Sequence, residues 1–207
     1  MIHALPGLGA DHRMYPPVWQ KLPGFKAYDW PRYGGETTIA DVAAVLAEHC
    51  RIRDGDVVVG SSLGGMVACE ISKIRRLDSL FLLGSATRPD EVSRLLGALH
   101  PLVHVAPIDW LRLSAASIPH EFARMFSGIE ATFVRAMCDA IFKWRGLGET
   151  ATPVFRVHGK HDHVIPPPAR VDLLLDGGHL ISMSHADECV AFIKGKRRGR
   201  GCRSTGK

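Results

Sequence analysis

The chain has 207 residues, of which 46% are hydrophobic and 23% charged, as is ordinary for one globular domain with a sizeable core. No apolar run approaches the roughly 18 residues of a membrane span, and the start of the chain lacks the basic segment and apolar core of a signal peptide. The net charge is +5, but seven of the 26 basic residues lie from Lys194 onward in a stretch without acids. We therefore expect neither a membrane span nor nucleic-acid binding by the folded domain.

An amphipathic helix is predicted in TTIADVAAVLAEHC, where Ile39, Val42 and Leu46 recur at helical spacing and Thr38 is the candidate N-cap. A second helix is predicted in LGGMVACEISKI, and PPVWQKL is typical of a helix start because proline is tolerated in the first turn. Short apolar runs predict strands in MIHALPG, FKAYDWP, DVVVG and SLFLLGSA. Strands and helices thus alternate through the first half of the chain.

The pattern changes between residues 89 and 148, where helical stretches such as EFARMFSGIEATFVRAMCDAIFKWRGL follow one another. Strands in ATPVFRVHG and VDLLLDGG and a helix in ADECVAFIKG come after them. This alternation predicts an α/β fold: a mostly parallel sheet of about six strands with helices on both faces. We expect a single domain over residues 1–194, a helical cap over residues 89–148, and a site beyond the carboxyl ends of the strands.

The basic end of the chain, residues 195–207, is predicted to be a disordered, solvated tail. The alternative is a weak, salt-sensitive contact of this tail with nucleic acid or anionic lipid.

The cysteines are scattered, and no two of them form a Cys-x-x-Cys pair. This spacing predicts reduced thiols in a cytoplasmic protein and favours neither a disulfide framework nor a zinc site. The five are Cys50, Cys69, Cys138, Cys189 and Cys202.

The segment from Gly60 to Gly64 fits the pattern G-x-S-x-G and connects a β-branched strand to an amphipathic helix. The glycines allow a sharp turn, since a side chain there would collide with the neighbouring strand or helix. Ser62 is then the candidate nucleophile at the helix N-terminus, and Ser61 is an ordinary turn residue. In the alternative interpretation both serines serve only the turn.

A serine nucleophile needs a base, and the base needs a group that orients it. Asp162 follows the predicted strand VFRVHG, and His179 follows the last strand, so both belong to the expected edge of the sheet. Asp176 and Asp90, which also follow strands, are rival candidates for the acid. The agreement of three placements predicts a Ser62–His179–Asp162 arrangement more strongly than the serine motif alone.

Three histidines lie close to Asp162 in the sequence, at His158, His161 and His163. They suggest metal ligands only weakly, because no matching cluster of cysteine or glutamate accompanies them. We expect His158 to hold the turn and the other two to be solvated or to lie at the rim of the site.

Ester chemistry also needs hydrogen-bond donors for the oxyanion that forms during attack. One donor is expected to be the backbone N–H of Leu63, directly after the nucleophile, and the other that of Leu8 in the loop after the first strand. Gly7 and Gly9 would let that loop approach the substrate closely. The alternative is a plain glycine turn.

From Ile2 to Lys194 the chain resembles the α/β-hydrolase superfamily. LPGLGADHRMY is similar to the oxyanion loop of that superfamily, VVVGSSLGGM to the nucleophile elbow, VFRVHGKHDHVIP to the acid loop and DGGHL to the histidine loop. The resemblance implies the triad in the chain order serine, aspartate, histidine, with no cofactor and no metal. One departure from the common pattern is that the chain begins at what would be the third of the usual eight strands, which predicts a smaller sheet without the first strands.

A second departure lies in the oxyanion loop. Pro6 precedes Gly7 where many relatives have a histidine before the glycine. Met66 stands near the position where lyase relatives often carry an arginine, which argues against the lyase branch.

We expect a serine hydrolase that cleaves a small carboxylic ester or thioester through an acyl-enzyme on Ser62. Acyl transfer or a lyase step on the same triad is one alternative, and a ligand-binding protein with a slow or vestigial triad is another. Apolar residues of the cap would line an acyl pocket or pack against the core: Leu95, Leu96, Leu99, Trp110, Phe122, Met125 and Phe126.

Overall fold

The computed structural model describes residues 1–92 and 130–201. Most of the predicted cap, including the seven apolar residues expected to line an acyl pocket, lies outside the described residues. Among the helices that are described, none combines the length and apolarity that crossing a membrane would need.

The centre of the molecule is a six-stranded sheet in the order β2-β1-β3-β4-β5-β6, in which every pair of neighbours is parallel. All six predicted strands are present, so the α/β fold class is confirmed. The strands are β1 (Ile2–Leu5), β2 (Phe25–Ala27), β3 (Val57–Ser61), β4 (Ser79–Leu83), β5 (Val154–Gly159) and β6 (Leu173–Leu175).

Five α-helices lie within the described residues. Thr38 caps the first as predicted, because its side chain accepts a hydrogen bond from the Asp41 N–H while the Asp41 carboxylate accepts one from the Thr38 N–H. The helices are α1 (Ile39–His49), α2 (Leu63–Ile74), α3 (Ala131–Lys143), α4 (Ile181–Ser184) and α5 (Ala186–Gly201).

Three details differ from the predicted helices. The run PPVWQKL forms a short 3-10 helix, Pro17–Lys21, since prolines flank it on both sides. Helix α3 ends at Lys143, after which Gly146, at a φ of +85°, turns the chain so that the Leu147 N–H reaches the Thr87 carbonyl. Helix α5 continues to Gly201 and so passes through the expected boundary at residue 194; the division into domain and tail stays a prediction.

Each face of the sheet packs against its own hydrophobic cluster. In β3, Val58 belongs to the cluster that contains residues of α1, α2 and α3, whereas Val57 and Val59 belong to the cluster that contains residues of α5. In β4, Leu82 belongs to the first of these clusters and Phe81 to the second. Because side chains alternate along a strand, burial on both faces explains why these strands are apolar without interruption.

Candidate active site

Ser62 lies alone between the end of β3 and the start of α2, with φ of 51° and ψ of −119°. A residue other than glycine is uncommon at positive φ, and such strain is retained only where the surroundings enforce it. Here the Ser62 N–H donates to the Leu83 carbonyl at 3.0 Å, and the Ser62 carbonyl accepts the Ser85 hydroxyl at 2.6 Å. The sequence prediction of a sharp strand-to-helix turn at Ser62 agrees with this geometry.

The glycines on either side of Ser62 make the turn sterically possible. A Cβ on Gly60 would lie 2.3 Å from the Gly64 carbonyl oxygen, and one on Gly64 would lie 2.4 Å from the Pro6 oxygen. Both distances are far below van der Waals contact with backbone atoms that have little room to move. The predicted collision with the neighbouring strand and helix therefore matches the structure.

The structure brings together the three predicted side chains. His179 Nε2 lies 3.0 Å from Ser62 Oγ, and His179 Nδ1 lies 2.8 Å from Asp162 Oδ2. The other carboxylate oxygen, Asp162 Oδ1, accepts the N–H groups of Val164 and Ile165, both at 2.9 Å. The Asp162 side chain is fully buried, whereas His179 is 18% exposed, so the imidazole is accessible and the carboxylate behind it is not.

The rival acids lie elsewhere. Asp176 is exposed and pairs with His161 at 3.0 Å, and Asp90 is exposed and pairs with Arg88. Among the described residues, Asp162 is therefore the carboxylate that contacts His179.

His158 is buried on β5, and its Nε2 lies 3.1 Å from the Ser85 carbonyl. Burial, with a smaller contribution from the nearby Arg156, lowers the pKa of His158 to about 4, so the imidazole is neutral at physiological pH and donates this hydrogen bond. This contact agrees with the expected role of His158 in holding the turn.

Within residues 1–92 and 130–201, one group of His, Cys, Asp or Glu side chains has its potential ligand atoms close enough together to hold a metal ion. This group contains Asp11, His12 and Asp29. It is partly exposed, and its carboxylates already pair with Arg13 and with the His12 ring. The three histidines considered as metal ligands from the sequence do not belong to it.

Of the two predicted oxyanion donors, Leu63 directly follows Ser62 and Leu8 belongs to a loop that approaches Ser62. Leu63 is the first residue of α2, where a backbone N–H has no partner within the helix. The loop that carries Leu8 is close, since a Cβ on Gly7 would lie 3.5 Å from Ser62 Cβ. Neither the Leu8 nor the Leu63 N–H has an acceptor among the described residues, so both are available to a ligand. Their role in binding an oxyanion stays a prediction.

Ser85, which follows β4, was not among the site residues predicted from the sequence. Its hydroxyl bonds the Ser62 carbonyl, and its own carbonyl accepts hydrogen bonds from Arg156 and His158. Gly84, which precedes Ser85, has a φ of +51° and lies close to Asp162. A Cβ on Gly84 would be 3.2 Å from Asp162 Oδ2. The sequence signal that could have pointed to Ser85 is a glycine and a small polar residue directly after a buried strand.

Comparison with known proteins agrees with this architecture. The family model described as "Alpha/beta hydrolase family" matches residues 2–192. A search of curated proteins gives no match.

Several solved structures share the fold at low sequence identity. A thermophilic esterase from Thermogutta terrifontis is 18% identical with a TM-score of 0.68, and the match covers 96% of this chain and 89% of that one. An esterase from Exiguobacterium antarcticum is 14% identical with a TM-score of 0.72, over 94% and 90%. An enol-lactonase from Burkholderia xenovorans LB400 is 18% identical with a TM-score of 0.69, over 94% and 89%. On the family match, which spans nearly the whole chain, this protein belongs to the alpha/beta hydrolase family.

Proposed function

We propose that this protein is a serine hydrolase that cleaves a small carboxylic ester or thioester through an acyl-enzyme on Ser62. The observation that carries the proposal is the continuous hydrogen-bonded series from Ser62 Oγ through His179 to Asp162, at 3.0 and 2.8 Å. Membership of the alpha/beta hydrolase family supports a hydrolase. The esterases among the structures of the same fold support the choice of a carboxylic ester.

In the proposed reaction, His179 Nε2 removes the proton from Ser62 Oγ as the oxygen attacks the acyl carbon. The backbone N–H groups of Leu8 and Leu63 bind the oxyanion of the tetrahedral intermediate. His179 then gives its proton to the departing alcohol or thiol, and the C–O or C–S bond breaks. A water molecule, deprotonated by His179, attacks the acyl-enzyme in the second half of the reaction and releases the acid.

Asp162 would fix the orientation and tautomer of His179 during these steps. Two backbone N–H groups hold Oδ1, so that Oδ2 faces Nδ1 of His179. Oδ2 accepts a hydrogen bond from the Nδ1–H group, and the unprotonated Nε2 is then the base. The buried carboxylate also stabilises the imidazolium that forms transiently, because little solvent screens the two charges.

The expected partner is a small-molecule ester, with no cofactor, and the expected location is the cytoplasm. The predicted alternatives keep the same Ser62: an acyl acceptor other than water gives a transferase, and a slow triad gives a binding protein. Product analysis with and without an added alcohol separates transfer from hydrolysis.

The decisive experiment is labelling with a fluorophosphonate, combined with turnover of nitrophenyl esters of increasing acyl length. We expect the wild type to be labelled and Ser62→Ala to lose both labelling and turnover, the latter by about 10⁴-fold or more. The neighbouring Ser61→Ala provides the matched control, because the Ser61 hydroxyl is buried and has no hydrogen-bond partner among the described residues. Equal labelling of Ser62→Ala and wild type would refute the proposal.

A further inference from the structure

A cleft of about 710 Å³ lies apart from the triad, where the chain after β4 meets the segment after α3, the start of β5 and the segment before β6. This volume is in the range of small-molecule sites. Ser62, Asp162 and His179 are not among the residues that line the cleft. The charged residues that line it are Arg88, Arg145, Arg156, Arg170, Asp90 and Asp172.

Both aspartates of the cleft already have cationic partners. Asp90 pairs with Arg88 at 2.6 Å, and Asp172 pairs with Lys196 at 3.3 Å. The deepest arginine, Arg156, is 13% exposed and pairs with Glu91 at 2.8 Å. These acids therefore leave no negative charge for the remaining two arginines.

Among the described cations that line the cleft, Arg145 and Arg170 are the two that remain. Both are exposed, and neither guanidinium has an acceptor or an acidic partner among the described residues. Two positive charges that no described acid neutralises, placed in one concave site, raise the local concentration of anions, because the walls of a cleft focus the electric field. The site is thus suited to an anion.

The backbone near both arginines is fixed by hydrogen bonds. Next to Arg145, the Gly146 carbonyl accepts Lys73 Nζ at 2.8 Å, and the Leu147 N–H donates to the Thr87 carbonyl at 2.8 Å. Two residues after Arg170, the Asp172 N–H donates to the Arg156 carbonyl at 2.9 Å, and the Asp172 carboxylate accepts the Arg156 N–H at 2.9 Å. This order lowers the cost of bringing two guanidinium groups onto one ligand.

We propose that this cleft binds the phosphate group of a small molecule through Arg145 and Arg170. Guanidinium groups offer paired N–H donors whose geometry matches phosphate and carboxylate oxygens. A phosphate dianion neutralises both surplus charges and offers enough acceptors for two arginines, whereas a single carboxylate would leave one positive charge unpaired. Of these two groups, phosphate is therefore the better match for the pair of arginines.

The proposal is tested by calorimetric titration of the full chain at fixed ionic strength with inorganic phosphate, glycerol phosphate or acetate. We expect one equivalent of phosphate to bind and acetate to bind more weakly. Inorganic phosphate binding as well as glycerol phosphate identifies the free ion as the ligand, and tighter binding of glycerol phosphate identifies a phosphorylated metabolite. Acetate binding as tightly as either would overturn the assignment to phosphate.

Two double variants separate this cleft from general attraction to a basic protein. Arg145→Gln with Arg170→Gln is expected to raise the Kd for phosphate by about tenfold or more. Arg51→Gln with Arg53→Gln removes the same charge from an exposed turn outside the cleft and is expected to leave the Kd unchanged. No binding by the wild type, retention of binding by the first variant, or equal loss in both variants would each contradict the proposal.

Discussion

The hydroxyl of Ser85 donates a 2.6 Å hydrogen bond to the backbone carbonyl of Ser62. The Ser85 carbonyl in turn accepts from Arg156 and His158 on β5, so the strained turn is held by the strands beside it as well as by its own helix. The proposed nucleophile therefore depends on residues that are distant in sequence.

Replacing Ser85 with alanine tests this dependence. The Ser62 carbonyl keeps the N–H groups of Gly65 and Met66, so the lost bond should lower the free energy of unfolding by only about 1 kcal/mol. We expect kcat for ester hydrolysis to fall by about tenfold with little change in KM, because the loss acts on the position of Ser62 Oγ in the transition state. Urea unfolding and steady-state kinetics measure the two effects.

The control for this variant is Ser72→Ala in α2, which removes a hydroxyl bonded to the Cys69 carbonyl at 2.7 Å. It removes a bond of the same type within the helix, away from the turn. If the kcat values of the two variants are the same, Ser85 does not position Ser62.

Breaking the ion pair between Glu91 and Arg156 is predicted to lower the stability of the protein strongly. Burial alone would raise the pKa of Glu91, but hydrogen bonds from Arg156 and from the Thr87 N–H outweigh it and lower the pKa. Glu91→Gln leaves the guanidinium buried and unpaired, which should reduce the free energy of unfolding by about 3 kcal/mol. Asp90→Asn breaks an exposed pair one residue away and should leave stability unchanged, and a similar midpoint of urea unfolding for both variants would contradict the prediction.

Stability should decline on mild acidification because His158 is buried in its neutral form. Its pKa of about 4 in the folded protein lies below the ordinary value of 6.5, so the unfolded chain binds a proton that the folded chain does not. The free energy of unfolding should therefore fall as the pH drops from 6.5 to about 4, by about 3 kcal/mol in total from this residue. Burial lowers the pKa of His3 too, which adds a contribution of the same sign.

Chemical unfolding between pH 4.5 and 7, an interval set by these shifts, measures the effect. In His158→Gln, which keeps an N–H donor for the Ser85 carbonyl but does not titrate, the pH dependence should become shallower. The same replacement at the exposed His161 is the control. An unchanged slope in His158→Gln would show that His158 is not the source.

Gly64→Ala should prevent native folding of the turn. The new Cβ would lie 2.4 Å from the Pro6 oxygen and 2.5 Å from the Leu5 oxygen, both backbone atoms of the neighbouring strand and loop. We expect this variant to be insoluble, or its free energy of unfolding to be lower than that of the wild type by more than about 4 kcal/mol. Gly195→Ala in α5, where a Cβ meets nothing within 4 Å, should be neutral or stabilising by about 1 kcal/mol, as followed by thermal unfolding. A soluble Gly64→Ala protein with wild-type stability would show that the turn can relax.

Much of the architecture could be predicted from the sequence because its signals are local. The uninterrupted β-branched run of β3 requires burial on both faces, and the capping pair of Thr38 and Asp41 marks the start of α1 within a few residues. The same holds for Ser62, since the sequence itself places glycines where strand and helix cross.

The remaining features depend on contacts between distant segments. Asp162, Asp176 and Asp90 all follow strands, and only the three-dimensional arrangement shows that Asp162 faces His179 while the others pair with His161 and Arg88. Likewise, the cleft that holds Arg145 and Arg170 forms from segments that are far apart along the chain. The hydrophobic periodicity of each segment does not indicate that these segments come together in the fold.

Both outer strands of the sheet, Phe25–Ala27 and Leu173–Leu175, are only three residues long. An outermost strand offers unpaired backbone groups along one side, and a long one can recruit another chain into a continuous intermolecular sheet. Because both edge strands are so short, and the charged Lys26 lies in one of them, few unpaired backbone groups are available to pair with a strand of another chain. The fold thereby protects a strongly apolar, slow-pairing parallel sheet against aggregation.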